Sequence, residues 1–286
     1  MSRLEQARQR AAGKQVDPAD RPHRTPVLAS ESALAGFPSE SVERHEPTVP
    51  QPADLSPSSL GPAPAEVETR STNPQLDGKL VGSDSIDPAA VERYRDLAAA
   101  LTDIRKTRPL KTVMIASAER GEGRTTTAVN LALTLAQKTT KRVLLIDADL
   151  LSPSIHTIFQ LPNFAGLSQL LETNVPDNDS TAGRAPVVDV GAQLTVLPAG
   201  RPSDDPMAAL ISPRMRALLL EAATRFEWVV VDAPAVASIE DPHLLAWLTD
   251  GAVLVVDTRR TAAAIVQDAI AALGNERVIG VVLNRS

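Results

Sequence analysis

Val113-Met-Ile-Ala-Ser-Ala-Glu-Arg-Gly-Glu-Gly-Arg-Thr-Thr-Thr127 decides the fold of this chain. It reads as a buried strand, a loop bearing glycines, and the start of a helix. In the phosphate-binding pattern G-x4-G-K-[ST], backbone N–H groups cradle the phosphates, the lysine reaches the β/γ oxygens and the hydroxyl binds Mg²⁺. Here Ala118 stands at the first glycine, Gly123 at the second, Arg124 at the lysine and Thr125 at the hydroxyl. Arginine keeps the positive charge but replaces a compact ammonium with a planar fork, which is not a conservative exchange between phosphates.

The flanks support the pattern. Lys111 to Ser117 is apolar and of strand length, and Thr127 to Gln137 carries apolar residues at helical spacing. The loop therefore opens a helix N-terminus, where free N–H groups and the helix dipole favour an anion. An ordinary glycine-containing βα turn is the plainer reading of this segment taken alone.

Further apolar runs follow at Arg142–Asp147, Leu194–Pro198, Trp228–Asp232, Ala252–Asp257 and Val278–Asn284, nearly continuous as in parallel strands covered on both faces. Helical stretches at Pro206–Arg225, Asp241–Trp247 and Thr261–Leu273 separate most of them. Pro88–Lys106 reads as a preceding helix with Asp87 as N-cap and Val91, Tyr94, Leu97, Leu101 and Ile104 on one face. The expected fold is α/β: a doubly wound, mostly parallel sheet of the P-loop NTPase type, with its ligand site at the strand C-termini. Three runs end there in aspartate. Asp147, Asp149 and Asp232 supply the hard oxygens that Mg²⁺·nucleotide chemistry needs, whereas Asp257 reads as a turn residue.

The chain divides near residue 85. Residues 1–85 hold 11 of the 23 prolines and almost no aromatic side chains, the composition of a disordered tether. Ser2 to Lys14, rich in helix formers, is read as a short helix, either solvated or docking. Residues 86–286 form the expected nucleotide-binding domain. The absence of cysteine excludes disulfides, thiol nucleophiles and Cys-ligated metals. A formal charge of −6 gives no general footprint for nucleic acid, and no nucleic-acid partner is expected. No apolar run approaches the roughly 20 residues needed to cross a bilayer, so the expected location is cytoplasmic, with attachment at the inner membrane only through a partner.

Several of these segments resemble the bacterial tyrosine kinases (BY-kinases) that accompany capsule and exopolysaccharide export. Gly121-Glu-Gly-Arg-Thr125 is similar to that family's P-G-E-G-K-[ST] loop. Leu145 to His156 is similar to its second Walker motif, D-x-D-L-R-x-P-x-x-H, and Phe226 to Pro234 to its Walker B. Gly166–Leu171, Leu197–Gly200 and Asp205-Pro206 match intervening landmarks, and Glu92-x-x-Arg95 resembles the start of the E-x-x-R-x-x-R ring-forming helix. The opening eight residues resemble the N-terminal helix of the exosortase-associated branch.

The resemblance implies ATP and Mg²⁺ as cofactors. It implies nucleotide contacts at Gly121, Glu122, Gly123, Arg124, Thr125 and Thr126; metal ligation by Thr125, Asp147 and Asp232; and catalysis by Asp147, Asp149 and Arg124. It also implies a membrane polysaccharide co-polymerase or chain-length determinant as partner, and self-association through Glu92 and Arg95. Leu151 and Ala98 replace two arginines of the family motifs. The sequence stops at Ser286, right after the last expected strand, with Tyr94 its one tyrosine, so no tyrosine-cluster tail is expected and Tyr94 is assigned to the core. Three functions remain open: an enzyme transferring phosphate from ATP to protein tyrosine or hydrolysing ATP, a non-catalytic nucleotide-gated scaffold, and a ParA/MinD-type positioning ATPase. Against the last, Glu119 stands where that group carries its signature lysine.

Overall fold

A computed structural model of the chain describes residues 28–29, 78–172, 187–191 and 193–284. The expected N-terminal helix at Ser2–Lys14 lies outside these residues. Six strands run parallel in the spatial order β8 (Val278–Asn284), β7 (Gly251–Asp257), β2 (Thr112–Ser117), β6 (Trp228–Asp232), β3 (Val143–Asp147) and β5 (Leu194–Leu197). Each edge carries an antiparallel strand: the two-residue β1 (Leu28–Ala29) on β8, and β4 (Val188–Gly191) on β5.

Every residue of β2, β3, β6 and β7 is buried. Successive side chains of these strands enter opposite layers, as the period of a strand requires. Met114, Leu144, Ile146, Val229, Val231 and Leu254 join one apolar layer, and Val113, Leu145, Val230, Val253 and Val255 join the other. The second layer is roofed by α1 (Pro88–Thr107) and α2 (Arg124–Lys138), through Tyr94, Leu97, Leu101, Leu131 and Leu135. Two short helices follow β3, α3 (Ile155–Ile158) and α4 (Leu167–Leu171). The first layer is covered by α4 with α5 (Pro206–Leu210), α6 (Pro213–Arg225), α7 (Pro242–Trp247) and α8 (Ala263–Leu273).

Asp87 caps α1 by accepting a hydrogen bond from Ala89 N at 2.9 Å, as the sequence indicates. The expected helix over Pro206–Arg225 is instead two helices. Asp205 caps the first by accepting from Ala208 N, and Ser212 caps the second by accepting from Met215 N. Pro213 then occupies the first turn of α6, where its missing N–H costs nothing. Composition places Leu80 and Val81 in the tether, yet both are buried, 2% and 5% exposed. The Asn130 amide of α2 holds that segment like a strand neighbour: its Oδ1 accepts from Val81 N and its Nδ2 donates to Lys79 O, both at 2.7 Å.

Candidate functional site

Strand β2 delivers the chain to the C-terminal edge of the sheet, and residues 118–123 turn it into α2. Gly121 and Gly123 have φ of 82° and 86°, in the left-handed region that glycine reaches without strain. A Cβ on Gly123 would also lie 2.1 Å from Asn284 Nδ2, so two independent constraints demand glycine there. The loop borders a cavity of about 620 Å³, lined by Arg120, Gly121, Gly123, Arg124, Thr125 and Thr126, by Asp149 and Ser152, by Asn284, and on its far wall by Ile86, Ala90 and Tyr94. That is the size range of small-molecule sites.

Glu122, expected among the nucleotide-contacting residues, turns its side chain the other way. It is 2% exposed and does not line the cavity. Its carboxylate accepts from Glu119 N at 2.8 Å, from Asp257 N at 3.1 Å and from the Thr261 hydroxyl, while its carbonyl accepts from Asn284 Nδ2 at 2.9 Å. Glu122 thus fastens the loop to the ends of β7 and β8, leaving only its backbone to face a ligand. Asp257 is the turn residue it was read as, its Oδ1 accepting from Arg259 N.

Asp147 and Asp232 end adjacent strands in direct register, so their side chains emerge on the same face one strand spacing apart. Both are fully buried, and Asp149 is 4% exposed. Arg124 joins the last two: its Nε donates to Asp232 Oδ1 at 2.9 Å and its Nη2 to Asp149 Oδ2. Burial disfavours the guanidinium's charge, but Asp232 and Asp149 outweigh that and raise its pKa further. The side chain expected on the triphosphate is therefore turned beneath the loop, onto the aspartates.

Asp147 takes no part in that pairing. Its Oδ2 accepts from Ser154 N and Ile155 N at 3.1 and 3.0 Å, while Oδ1 has no partner among the described residues. Burial, reinforced by Asp232, pushes its carboxyl up to about 8 against the pull of those two N–H groups. Burial also raises Asp232, against Arg124 and the neighbouring Thr125 hydroxyl, and its Oδ2 has no hydrogen bond among the described residues.

Two carboxylate oxygens without partners among the described residues, one of them on Asp232 next to Thr125, in a group of three buried acids of which Arg124 pairs two, suit a divalent metal. Mg²⁺ prefers one or two carboxylates completed by water and phosphate oxygens, so the fact that no three His, Cys, Asp or Glu side chains among the described residues converge on a metal is compatible with it. Arg124 already neutralises two of those acids, so metal and guanidinium address the same charge.

Other sequence-marked residues fall elsewhere. Glu92 and Arg95 pair with each other on the exposed face of α1, whereas Ala98, the third position of that motif, is fully buried. Tyr94 is 8% exposed; it belongs to the core and also walls the cavity. Among the described residues the His156 ring shares a hydrogen bond with the Thr157 hydroxyl, and burial lowers its pKa. Asn130 and Asn284 were not singled out by the sequence; a polar residue in the apolar stripe of a helix was the available signal for the first.

Comparison with known proteins places the chain among P-loop NTPases. A ParA family model, described as NUBPL iron-transfer P-loop NTPase, matches residues 109–286. Tyrosine-protein kinase YwqD of Bacillus subtilis is 35% identical over 196 residues, covering 68% of this chain and 80% of that protein. The putative tyrosine-protein kinase CapB of Staphylococcus aureus is 28% identical, with 68% and 83% covered. The succinoglycan biosynthesis transport protein ExoP of Rhizobium meliloti is 34% identical, but the match spans only 25% of it. Among solved structures, the chimerical protein CapA2B2 superposes with a TM-score of 0.63 at 27% identity, covering 73% of this chain and 90% of that one. The kinase domain of the Escherichia coli tyrosine kinase ETK gives 0.62 at 27%, with 68% and 75% covered.

Proposed function

Since the chain belongs to the bacterial tyrosine-kinase group of ParA-type P-loop NTPases, we propose that it binds ATP with Mg²⁺ and transfers the γ-phosphate to a protein tyrosine, or to water, in the service of exopolysaccharide or capsule production. The carrying observation is the cavity bordered by Arg120, Gly121, Gly123–Thr126 and Asp149, next to the end of β3 and β6, where Asp147 and Asp232 stand in register. Loop N–H groups and the N-terminus of α2 would bind the phosphates. Thr125, Asp147 and Asp232 would hold the metal, which supplies charge neutralisation on the phosphate oxygens.

Asp149, at the cavity wall, is the group positioned to take the proton of an incoming hydroxyl. In that step the bond from γ-phosphorus to the bridging oxygen breaks, the bond to the acceptor oxygen forms, and ADP departs with its electron pair. Arg124 must first release Asp149, since a carboxylate held by a guanidinium is a poor base. Once released, the guanidinium can reach the phosphates as a fork. Glu92 and Arg95, exposed on α1, support self-association.

The partner is a membrane polysaccharide co-polymerase, and ExoP, named for succinoglycan transport, contains a region similar to this chain. Among the described residues no helix is long and apolar enough to cross a membrane, and the proposed location is the cytoplasmic side. The clamped Arg124 favours a second reading, a nucleotide-gated scaffold that binds without turnover. A turnover assay with Mg·ATP separates the two. Phosphate release or labelling of partner tyrosine supports the enzyme; tight nucleotide binding with neither product sinks it and leaves the scaffold.

A further inference from the structure

The opposite end of the sheet carries charge that the nucleotide site does not use. Arg108 follows the C-terminus of α1, and Arg277 lies in the turn that leads into β8. The Arg277 guanidinium lies 3.7 Å over the ring of Trp247, which is 41% exposed. Arg108 packs against the start of β7, its Nη2 only 3.0 Å from where a Cβ on Gly251 would stand.

Three of their N–H donors, Arg108 Nε and Nη2 and Arg277 Nε, are buried without an acceptor among the described residues. Among the described residues Arg277 Nη1 makes a long contact to Thr249 O at 3.4 Å. Burial holds Arg277 below the ordinary arginine range; Glu276 opposes that, Arg108 adds to it, and Asp250 opposes it more weakly. Neither acid makes a hydrogen bond to either guanidinium among the described residues. Asp250 Oδ2 is committed to Lys111 N, Thr112 N and the Thr112 hydroxyl at 2.7–2.8 Å.

Two cations in mutual repulsion, carrying three buried donors without an acceptor among the described residues, are costly unless an acceptor arrives. Arginine is well matched to such an acceptor, because its charge is permanent and its fixed fork fits the oxygens of a phosphoryl group.

We propose that Arg108 and Arg277, with Trp247 as a shelf, form a binding site for a phosphoryl dianion at the N-terminal ends of β2, β7 and β8. The site lies roughly 20 Å from the nucleotide loop, at ~3.3 Å per residue along β2. Two positive charges match a dianion, and the three open donors can serve separate oxygens. The dianion is either free phosphate or the phosphoryl group of an ester carried by another molecule.

The test is titration of the full chain with inorganic phosphate and, separately, with phosphoserine, read by Trp247 fluorescence and by the thermal midpoint. Saturable quenching is expected in the wild type, absent in Trp247→Phe, and at least tenfold weaker in Arg108→Gln and Arg277→Gln. Arg108→Lys, which keeps charge without the fork, falls between, and circular dichroism establishes that each variant folds. Any phosphate bound at the nucleotide loop persists in the Arg108 and Arg277 variants, so it cannot imitate the effect. Tighter binding of phosphoserine identifies an ester as the source, and equal binding identifies the free ion. No quenching by either probe, or quenching that Arg108→Gln and Arg277→Gln leave unchanged, overturns the site.

Discussion

Replacing Arg124 by methionine keeps most of the apolar stem but removes the cation between Asp149 and Asp232. The three side chains are 9%, 6% and 1% exposed, so water cannot take over the lost partner. Breaking a buried pair from one side costs about 3–5 kcal/mol, because the remaining charge is stranded. Here two acids are stranded, and Asp147 stands in register with one of them. Part of the cost is recovered by protonation, since burial already raises Asp232. We therefore expect about 3–4 kcal/mol of lost stability at pH 8 in chelator, shrinking towards pH 5 as the orphaned carboxyls take up protons. For a unit of this size that corresponds to a fall of about 6–16 °C in Tm. The assay is urea denaturation followed by circular dichroism at both pH values. Magnesium chloride should then stabilise the variant more than the wild type, by about 1.4 kcal/mol when free metal is ten times its Kd, because the metal answers a charge that Arg124 no longer covers. A loss below about 1 kcal/mol at pH 8, or equal stabilisation of both proteins by magnesium, would refute the clamp.

Five further outcomes follow from the same geometry. Asp147→Asn should flatten the stability profile between about pH 5 and 8. In that window the folded wild type keeps a proton that the unfolded chain has released, so its stability falls as pH rises, by at most about 1.4 kcal/mol per unit; identical urea midpoints for the two proteins across the window contradict the raised carboxyl. Gly123→Ala meets both a left-handed φ and the Asn284 amide, and should lower nucleotide affinity at least tenfold by equilibrium dialysis while the fold survives. Glu122→Ala releases the loop from β7 and should cost about 2–3 kcal/mol, with faster hydrogen exchange at Glu119 and Asp257 as the local readout. Arg124→Lys should preserve or raise turnover, and Glu92→Ala should lower the sedimentation coefficient if the exposed Glu92–Arg95 pair joins copies of the chain.

The parallel strands were legible because burial on both faces writes itself as an unbroken apolar run, and β2, β3, β6 and β7 are buried throughout. The edge strand β4 was not. Its Val188-Asp-Val-Gly191 is short, carries a charge and pairs antiparallel on one side only, so nothing in its composition sets it apart from a loop. The break between α5 and α6 did have a signal, Ser212 before Pro213, which marks a helix start; the apolar spacing ran across it and hid it. At the site, residue identity and placement were readable but side-chain direction was not. The pattern puts Arg124 on the phosphates and Glu122 towards the ligand, whereas both turn into the protein to meet partners 25, 108, 135 and 139 residues away. Asn284 likewise reaches back 162 residues to the Glu122 carbonyl. Such contacts exist only once the sheet order is known, and β7 and β8 approach the loop because the chain crosses over to return beside β2.

That sheet order also explains why a single substitution in the loop changes the electrostatics of the whole site. In the spatial sequence β7-β2-β6-β3, the loop after β2 lies beside the end of β6, one strand from β3, so any long cation at position 124 can fold back onto the aspartates that close those strands. A lysine is a point charge on a flexible stem and leaves one carboxylate readily for a phosphate oxygen. A guanidinium holds Asp149 and Asp232 together through separate nitrogens, and leaving means breaking both contacts at once. In the proposed mechanism an incoming triphosphate therefore displaces two buried ion pairs before Asp149 is free to act as the base. The barrier falls on turnover rather than on occupancy, because the loop's N–H groups and the helix N-terminus remain open to phosphate while Arg124 stays clamped. In the proposed mechanism the chemistry waits on the release of Arg124, and the ratio of kcat to nucleotide affinity, compared between the wild type and Arg124→Lys, measures how long it waits.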